Sequence, residues 1–211
     1  EGEPANPLYT KQWRFDLPAS HGERLDAPGR PRAHADYLRS HDTLVGNIAA
    51  EEWRWRKRHN YYLNCLRDVD RSIASVLDEL EALGLSSNTI VVLTADHGDL
   101  DGAHNLHAKG ATAYREQNQV PLLVVHPAYR GARRCRAVTT HLDLAPTLVN
   151  LTGIAPERRA ALTQDLPGKD LSALVAEPAS AGPRDGALFC YNMLAYLDGE
   201  LMEKAVALLA Q

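Results

Sequence analysis

A chain of 211 residues, 45% of them hydrophobic, is long enough to bury one sizeable core. Its formal net charge of −4 gives no ground for a nucleic-acid partner, and no apolar run reaches the length of a transmembrane helix. Cys65, Cys135 and Cys190 are odd in number and lack metal-ligand spacing, which argues against a disulfide framework and leaves the compartment open.

Residues 1–34 hold Pro4, Pro7, Pro18, Pro28 and Pro31 among scattered Gly and charge, the composition of a loop-rich surface segment that Trp13 and Phe15 anchor to the body. His21 and His34 in it receive no role. From about Ala35 the pattern turns helical. Leu66, Val69, Ile73, Val76, Leu77, Leu80 and Leu83 then recur at three- and four-residue steps, a stripe that predicts a long amphipathic helix with a wet face opposite. Arg54, Arg56, Lys57 and Arg58 read as a solvated helix face, and Gly84 as the C′ residue of the striped helix, with Leu85 packing back on it.

After the turn at Ser86, Ser87 and Asn88 comes TIVVLTADHGDLDGAHNLHAK, from Thr89 to Lys109. Ile90, Val91, Val92 and Leu93 suit a buried strand of a parallel sheet covered on both faces. Asp96, His97, Gly98 and Asp99 follow at once, where the carboxyl end of such a strand opens onto a ligand crevice. A carboxylate beside an imidazole can share one cation, and Gly98 permits a sharp turn. His104, His107 and Lys109 arrive in the same Gly-containing loop, so a cation and an ammonium would flank one pocket for a small oxyanion.

Tyr114, Arg115 and Glu116 stand in a short polar helix. A strand from Pro121 to Val125 is followed by a basic connector holding Arg130, Arg133, Arg134 and Arg136. Residues 139–153 read as a segment leading into a helix, with Asp143 as N-cap and Pro146 in its first turn. AEPASAGPRDG is a linker by composition; residues 187–193 then read as a strand and residues 194–210 as a final helix, entered near Asp198 and Gly199.

Taken together, LTADHGDLDGAHNLHAKGATAYREQNQVPLLVVHP resembles the second signature region of the sulfatases, in the alkaline phosphatase superfamily. HLDLAPTLVNLTG from His141 to Gly153 continues the likeness, which runs from about Tyr61 to Val175; LPGKDLSALV is similar to a later family element but has Asp170 where Ser is usual. The first fifty or so residues carry no resemblance.

The resemblance implies an α/β fold: part of an alkaline-phosphatase-like sandwich, mostly parallel sheet with helices on both faces, plus a small C-terminal subdomain. Residues 1–155 would be a partial catalytic core and residues 156–211 a linker and partial subdomain. The implied activity is metal-dependent hydrolysis of a sulfuric ester. Asp96 and His97 would ligate a divalent cation, calcium first, with magnesium, manganese and zinc as other occupants. Lys109 would bind and neutralise the sulfate oxygens, and His104 would contact the bridging oxygen or protonate the leaving group.

The implied partner is a small-molecule or carbohydrate sulfate ester. The family's nucleophile is a formylglycine made in a C/S-x-P-x-R motif. None of the three cysteines is followed by it, so the nucleophile is expected outside this chain and the chain is expected to be an inactive fragment. Three other readings are a phosphoryl-transfer or phosphohydrolase relative, a non-catalytic fragment, and a zinc site of His97, His104 and His107.

Overall fold

The structure, a computed structural model, describes residues 10–129, 131–191 and 199–209. The chain is mixed α/β and divides into two compact units. One comprises Glu1–Gly84, Thr94–Pro121 and Tyr191–Gln211, and the other Leu85–Leu93 and Leu122–Cys190.

In the first unit, helix α1 (Arg32–Val45) enters behind Pro31, whose ring fixes φ near the helical value. Helix α2 (Glu52–Ala82) has 31 residues, roughly 46 Å at 1.5 Å per residue. It ends where the sequence predicts, with Gly84 left-handed at φ 69 and its N–H donating to the Glu81 carbonyl. Leu85 is exposed rather than packed back onto the helix.

The amino-terminal loops are pinned to α2 as expected of Trp13 and Phe15. Trp13 donates its N–H to Asn60 Oδ1 at 2.6 Å, and Phe15 accepts from Arg56 Nη1 at 2.8 Å while stacking on His59. Helix α7 (Gly199–Leu209) packs on α1, with Arg39 Nε donating to Glu203 at 2.6 Å. The helix expected over residues 194–210 is thus seen from Gly199, and residues 192–198 and 210 lie outside the described residues.

The core of this unit is not where periodicity points. Tyr37, Leu100 and Leu106 are buried together, with Leu25, Leu38 and Tyr114 against them. Two of those three stand in the loop after the strand, and fully burying a leucine contributes about 1.5–3 kcal/mol. The α2 stripe, by contrast, is wet: Leu66, Val69, Leu77 and Leu83 are exposed and Val76 is 69% exposed. Periodicity identifies the apolar face, but burial needs a partner, and none covers that face among the described residues.

In the second unit, β1 (Val91–Thr94) pairs with β2 (Leu122–Val125) in a two-stranded sheet among the described residues. The continuous apolar runs predict strands covered on both faces. Here Leu93, Leu122, Leu123 and Val125 are exposed, because the sheet has only these two strands to share its faces. Helices α5 (Pro156–Thr163) and α6 (Ser172–Ala176) both pack against α4 (Leu144–Leu151). No regular element occupies residues 187–191 where a strand was expected; residues 192 and 193, like Pro4, Pro7 and Arg130, lie outside the described residues.

Asp143 stands at the N-cap position of α4, as expected, but its side chain does not cap that helix. It is the third residue of a preceding 3₁₀ turn (His141–Asp143) whose N-cap is Thr140, and its carboxylate accepts the Thr140 N–H at 2.9 Å to close a capping box around that turn.

Candidate active site

Strand β1 delivers its residues into a loop that is held almost wholly by backbone-directed bonds. Thr94 Oγ1 donates to the Pro121 carbonyl at 2.8 Å, and Gly98 N–H to that of Gln117 at 2.7 Å. A Cβ at Gly98 would overlap the Glu116 carbonyl oxygen, so this close approach is open to glycine only. Gly98→Ala is expected to destabilise by about 1–3 kcal/mol and to displace His97; a thermal melt together with the His97 ring resonances checks both.

Between these points Asp96 and His97 face each other. The Asp96 side chain is 84% exposed, and its Oδ1 accepts the His97 N–H at 2.9 Å. That N–H, foremost, holds the carboxyl below its usual range, and His97 and the Lys109 ammonium act in the same direction. His97 Nδ1 lies 2.8 Å from the Gly98 carbonyl, which can only accept, so Nδ1 carries the proton and Nε2 the lone pair. Nε2 is 3.3 Å from Asp96 Oδ2 and in close contact with Lys109 Nζ, whose N–H donates to it. The expected trio of Asp96, His97 and Lys109 is therefore brought together.

Lys109 is placed by its own backbone. The Tyr37 hydroxyl lies 2.8 Å from the carbonyls of both His107 and Lys109, one proton shared between two acceptors. Gln117, in the short helix α3 (Arg115–Asn118), grips the next residue, donating to the Gly110 carbonyl at 2.9 Å and accepting its N–H at 2.8 Å. Gly110 lies flat against the Tyr37 ring, where a Cβ would collide. Leu100 N–H to the Ala108 carbonyl, and Gly102 N–H to that of Leu106, close the loop from within. Asp101, His104, Asn105 and Ala108 all have positive φ there. Such backbone costs about 1–3 kcal/mol per residue and persists where the surroundings over-determine it.

Arg58 supplies part of that surrounding. It is no solvated charge: Nε donates to Asp101 Oδ1 at 2.7 Å, and its other end reaches Asp99 at 3.7 Å. His59 adds a contact to the Asp101 carbonyl at 2.6 Å. Nothing in the local sequence marks Tyr37, Arg58 or Gln117 as supports of this loop, because each acts through a contact distant in the chain or through a backbone atom.

His104 is held by a different set. Its ring nitrogens face Glu23 at 3.2 Å and Glu116 at 3.6 Å, and the ring stacks on Tyr114 with centroids 3.6 Å apart. Arg30 ties Tyr114 and Glu23 into the same network. His107 turns inward instead. It is 4% exposed, meets the His41 ring edge-on at 4.1 Å, and places Nε2 3.4 Å from Asp42 Oδ1. Burial pushes its imidazole down to about 4. His97, His104 and His107 thus have three separate sets of partners and assemble no common zinc site.

The donors fit a hard divalent cation in part. Asp96 offers oxygens and His97 a lone pair oriented by the Gly98 carbonyl, as a metal-ligating histidine usually is. Calcium takes six to eight ligands, mostly oxygens, so these two residues are a fraction of a shell.

Comparison with known proteins gives a consistent result. A profile of the Sulfatase family matches residues 8–154, which extends the likeness into the first fifty residues, where the sequence alone showed none. The chain is 26% identical over 197 residues to an ulvan-active sulfatase of Formosa agariphila, covering 87% of this chain and 37% of that protein. It is 36% identical over 154 residues to the uncharacterized sulfatase YidJ of Escherichia coli, covering 72% and 28%. An N-acetylglucosamine-6-O-sulfatase of Bacteroides thetaiotaomicron is 31% identical over 150 residues, covering 71% and 26%.

Among solved structures, one in complex with its substrate D-glucosamine-2-N,6-O-disulfate aligns with TM-score 0.57 at 25% identity, over 67% of this chain and 28% of that one. A phosphonate monoester hydrolase from Silicibacter pomeroyi shares the fold, with TM-score 0.65 at 22% identity over 86% and 35%. The chain spans well under half the length of these relatives.

Proposed function

Because this chain belongs to the sulfatase family, we propose that it carries the cation- and sulfate-binding part of a sulfuric ester hydrolase. The observation that carries this reading is the meeting of Lys109 Nζ, His97 Nε2 and the Asp96 carboxylate at one exposed point of the loop. Asp96 and His97 hold a divalent cation, calcium first. When bound, that cation supplies a Lewis acid that polarises a sulfate oxygen. Lys109 gives an ammonium with three donors to the oxygens left over, and swings to them from the His97 lone pair it now faces. His104 donates a proton to the departing alcohol oxygen, with Glu23 and Glu116 orienting its ring.

The nucleophile is a formylglycine, and since no C/S-x-P-x-R motif occurs in the 211 residues, it comes from outside them. The substrate is a carbohydrate sulfate ester, in keeping with the ulvan, N-acetylglucosamine and glucosamine named for the relatives. The matching fold is a mostly parallel sheet with helices on both faces, residues 1–155 forming a partial catalytic core and residues 156–211 a linker and partial C-terminal subdomain.

The experiment is an assay of 6-O-sulfated N-acetylglucosamine and of its phosphate counterpart, with calcium or with a chelator. The enzyme is a protein that joins these residues to a formylglycine. Sulfate turnover that chelation removes, and that Asp96→Asn lowers at least about tenfold, supports the reading. Preference for the phosphate ester refutes it, and turnover by the 211 residues alone refutes the external nucleophile.

A further inference from the structure

His41 and Asp42 of α1 and His107 of the loop form a cluster that the sulfatase reading leaves without a task. One ring nitrogen of each histidine and one oxygen of Asp42 lie within 4.8 Å of one another, the one such three-residue group of His, Cys, Asp or Glu among the described residues. Both imidazoles are buried, His41 at 7% exposure and His107 at 4%.

Their polar atoms are poorly served. His41 Nδ1 and Asp42 Oδ1 are shut off from solvent and neither has a hydrogen-bond partner. His107 Nε2 approaches that same oxygen at 3.4 Å without the alignment of a hydrogen bond. A buried acceptor with no donor destabilises the fold, and a carboxylate oxygen does so more than a neutral one. The surroundings offer little relief: the Asp99 carboxylate lies near enough to act on both histidines, Arg58 opposes it, and the His107 carbonyl is taken by Tyr37.

We infer that His41, Asp42 and His107 form a binding site for a divalent transition-metal ion, zinc foremost, that clips α1 to the loop carrying Lys109. Two imidazoles and one carboxylate are a borderline donor set suited to zinc rather than to calcium, which demands oxygens. Metal–nitrogen bonds of about 2.0–2.1 Å place tetrahedral donors roughly 3.4 Å apart, so the three atoms need close by little more than an ångström. The Asp42 side chain is 32% exposed, which leaves water a path to the fourth position.

This site is distinct from that of Asp96 and His97 and stands whether or not these take calcium. Its consequence is mechanical. With His107 two residues before Lys109, a bound ion would fix the backbone from which the ammonium is presented.

The test uses the 211-residue chain, freed of metal by a chelator and titrated with zinc, and with cobalt as its visible reporter. One equivalent is expected to bind, to shift the ring resonances of His41 and His107 while leaving those of His97 in place, and to raise the melting temperature. Asp42→Asn and His107→Gln are expected to weaken zinc at least tenfold, and Asp96→Asn to leave it unchanged. Movement of His97 alone, loss of zinc in Asp96→Asn with retention in Asp42→Asn, or no retained ion after dialysis would overturn the proposal. The resonances of the unsubstituted chain decide the matter even where a variant fails to fold.

Discussion

Replacing Lys109 by alanine, in a protein that joins these residues to a working nucleophile, is expected to lower kcat/KM for a sulfate ester by at least about a hundredfold, or ~2.7 kcal/mol of barrier. The side chain is exposed and its one described contact is with His97 Nε2, so little of the fold depends on it. Surface substitutions of this kind change stability by about 0.5 kcal/mol or less. A sulfate ester, however, gathers charge on its oxygens as the ester bond breaks, and a preorganised ammonium is worth most at that moment.

Lys109→Arg is expected to recover only part of the loss, because a planar guanidinium cannot occupy the point contact that Nζ makes with the His97 ring. Steady-state kinetics beside a urea melt separates the two effects. Activity within tenfold of the parent, or a loss matched by unfolding, removes Lys109 from the role assigned to it.

The second large effect lies in the other unit and concerns stability. Asp143 is fully buried, yet every lone pair it offers is used. Arg184 holds it bidentately, with Nη2 donating to Oδ1 at 2.7 Å and Nη1 to Oδ2. The Lys169 N–H donates to Oδ1 at 2.7 Å and the Thr140 N–H to Oδ2 at 2.9 Å. One carboxylate thus ties the start of α4 to residues 26 and 41 positions further on.

Asp143→Asn keeps the shape but turns one acceptor into a donor facing other donors and leaves Arg184 without its counter-charge. The expected cost is about 3–5 kcal/mol, read as a shift of the denaturant midpoint. A loss under 1 kcal/mol would show that the junction is held by packing instead.

The same carboxylate sets an acid limit. Burial by itself would push Asp143 up, but Arg184 and the two backbone N–H groups outweigh it and hold the group below its ordinary 3.8. The unfolded chain then takes the proton first as pH falls. The stabilisation is complete above pH 3.8 and is lost as pH drops through the folded value. Asp143→Asn is expected to flatten that part of the stability curve.

What could be read from the residues alone is uneven for physical reasons. The β-branched run at Val91 and Val92 marks β1, and the stripe from Leu66 to Leu83 marks α2, because a strand or a helix writes its period along its own sequence. Gly84 marks a helix end for an equally local reason. Asp96, His97 and Lys109 were legible as a spaced motif following a strand, and they meet.

What supports them was not legible. Tyr37 serves two carbonyls more than 70 positions away on average, and carbonyls belong to every residue type. Arg58 stands among Arg54, Arg56 and Lys57 with nothing to set it apart until Asp99 and Asp101 arrive beside it. The place of Asp143 at the N-cap of α4 was legible, but the partners of its carboxylate were not. An aspartate before a helix reads equally as an N-cap or as the inward arm of a capping box, and only the preceding 3₁₀ turn decides between them.

The Tyr37 contact also has a meaning in time. The ribosome releases the chain from its amino end at roughly 5–20 residues per second. Tyr37 is therefore synthesised roughly 4–14 s before the carbonyls of His107 and Lys109 that it will hold. Helices α1 and α2, whose hydrogen bonds are local, can form in microseconds once released. For those seconds the tyrosine hydroxyl is without the two carbonyls it will hold, and His41 and Asp42 are without His107. The nascent polypeptide gains α1 and α2 before the loop that presents His97 and Lys109, which closes only when its far edge has been born.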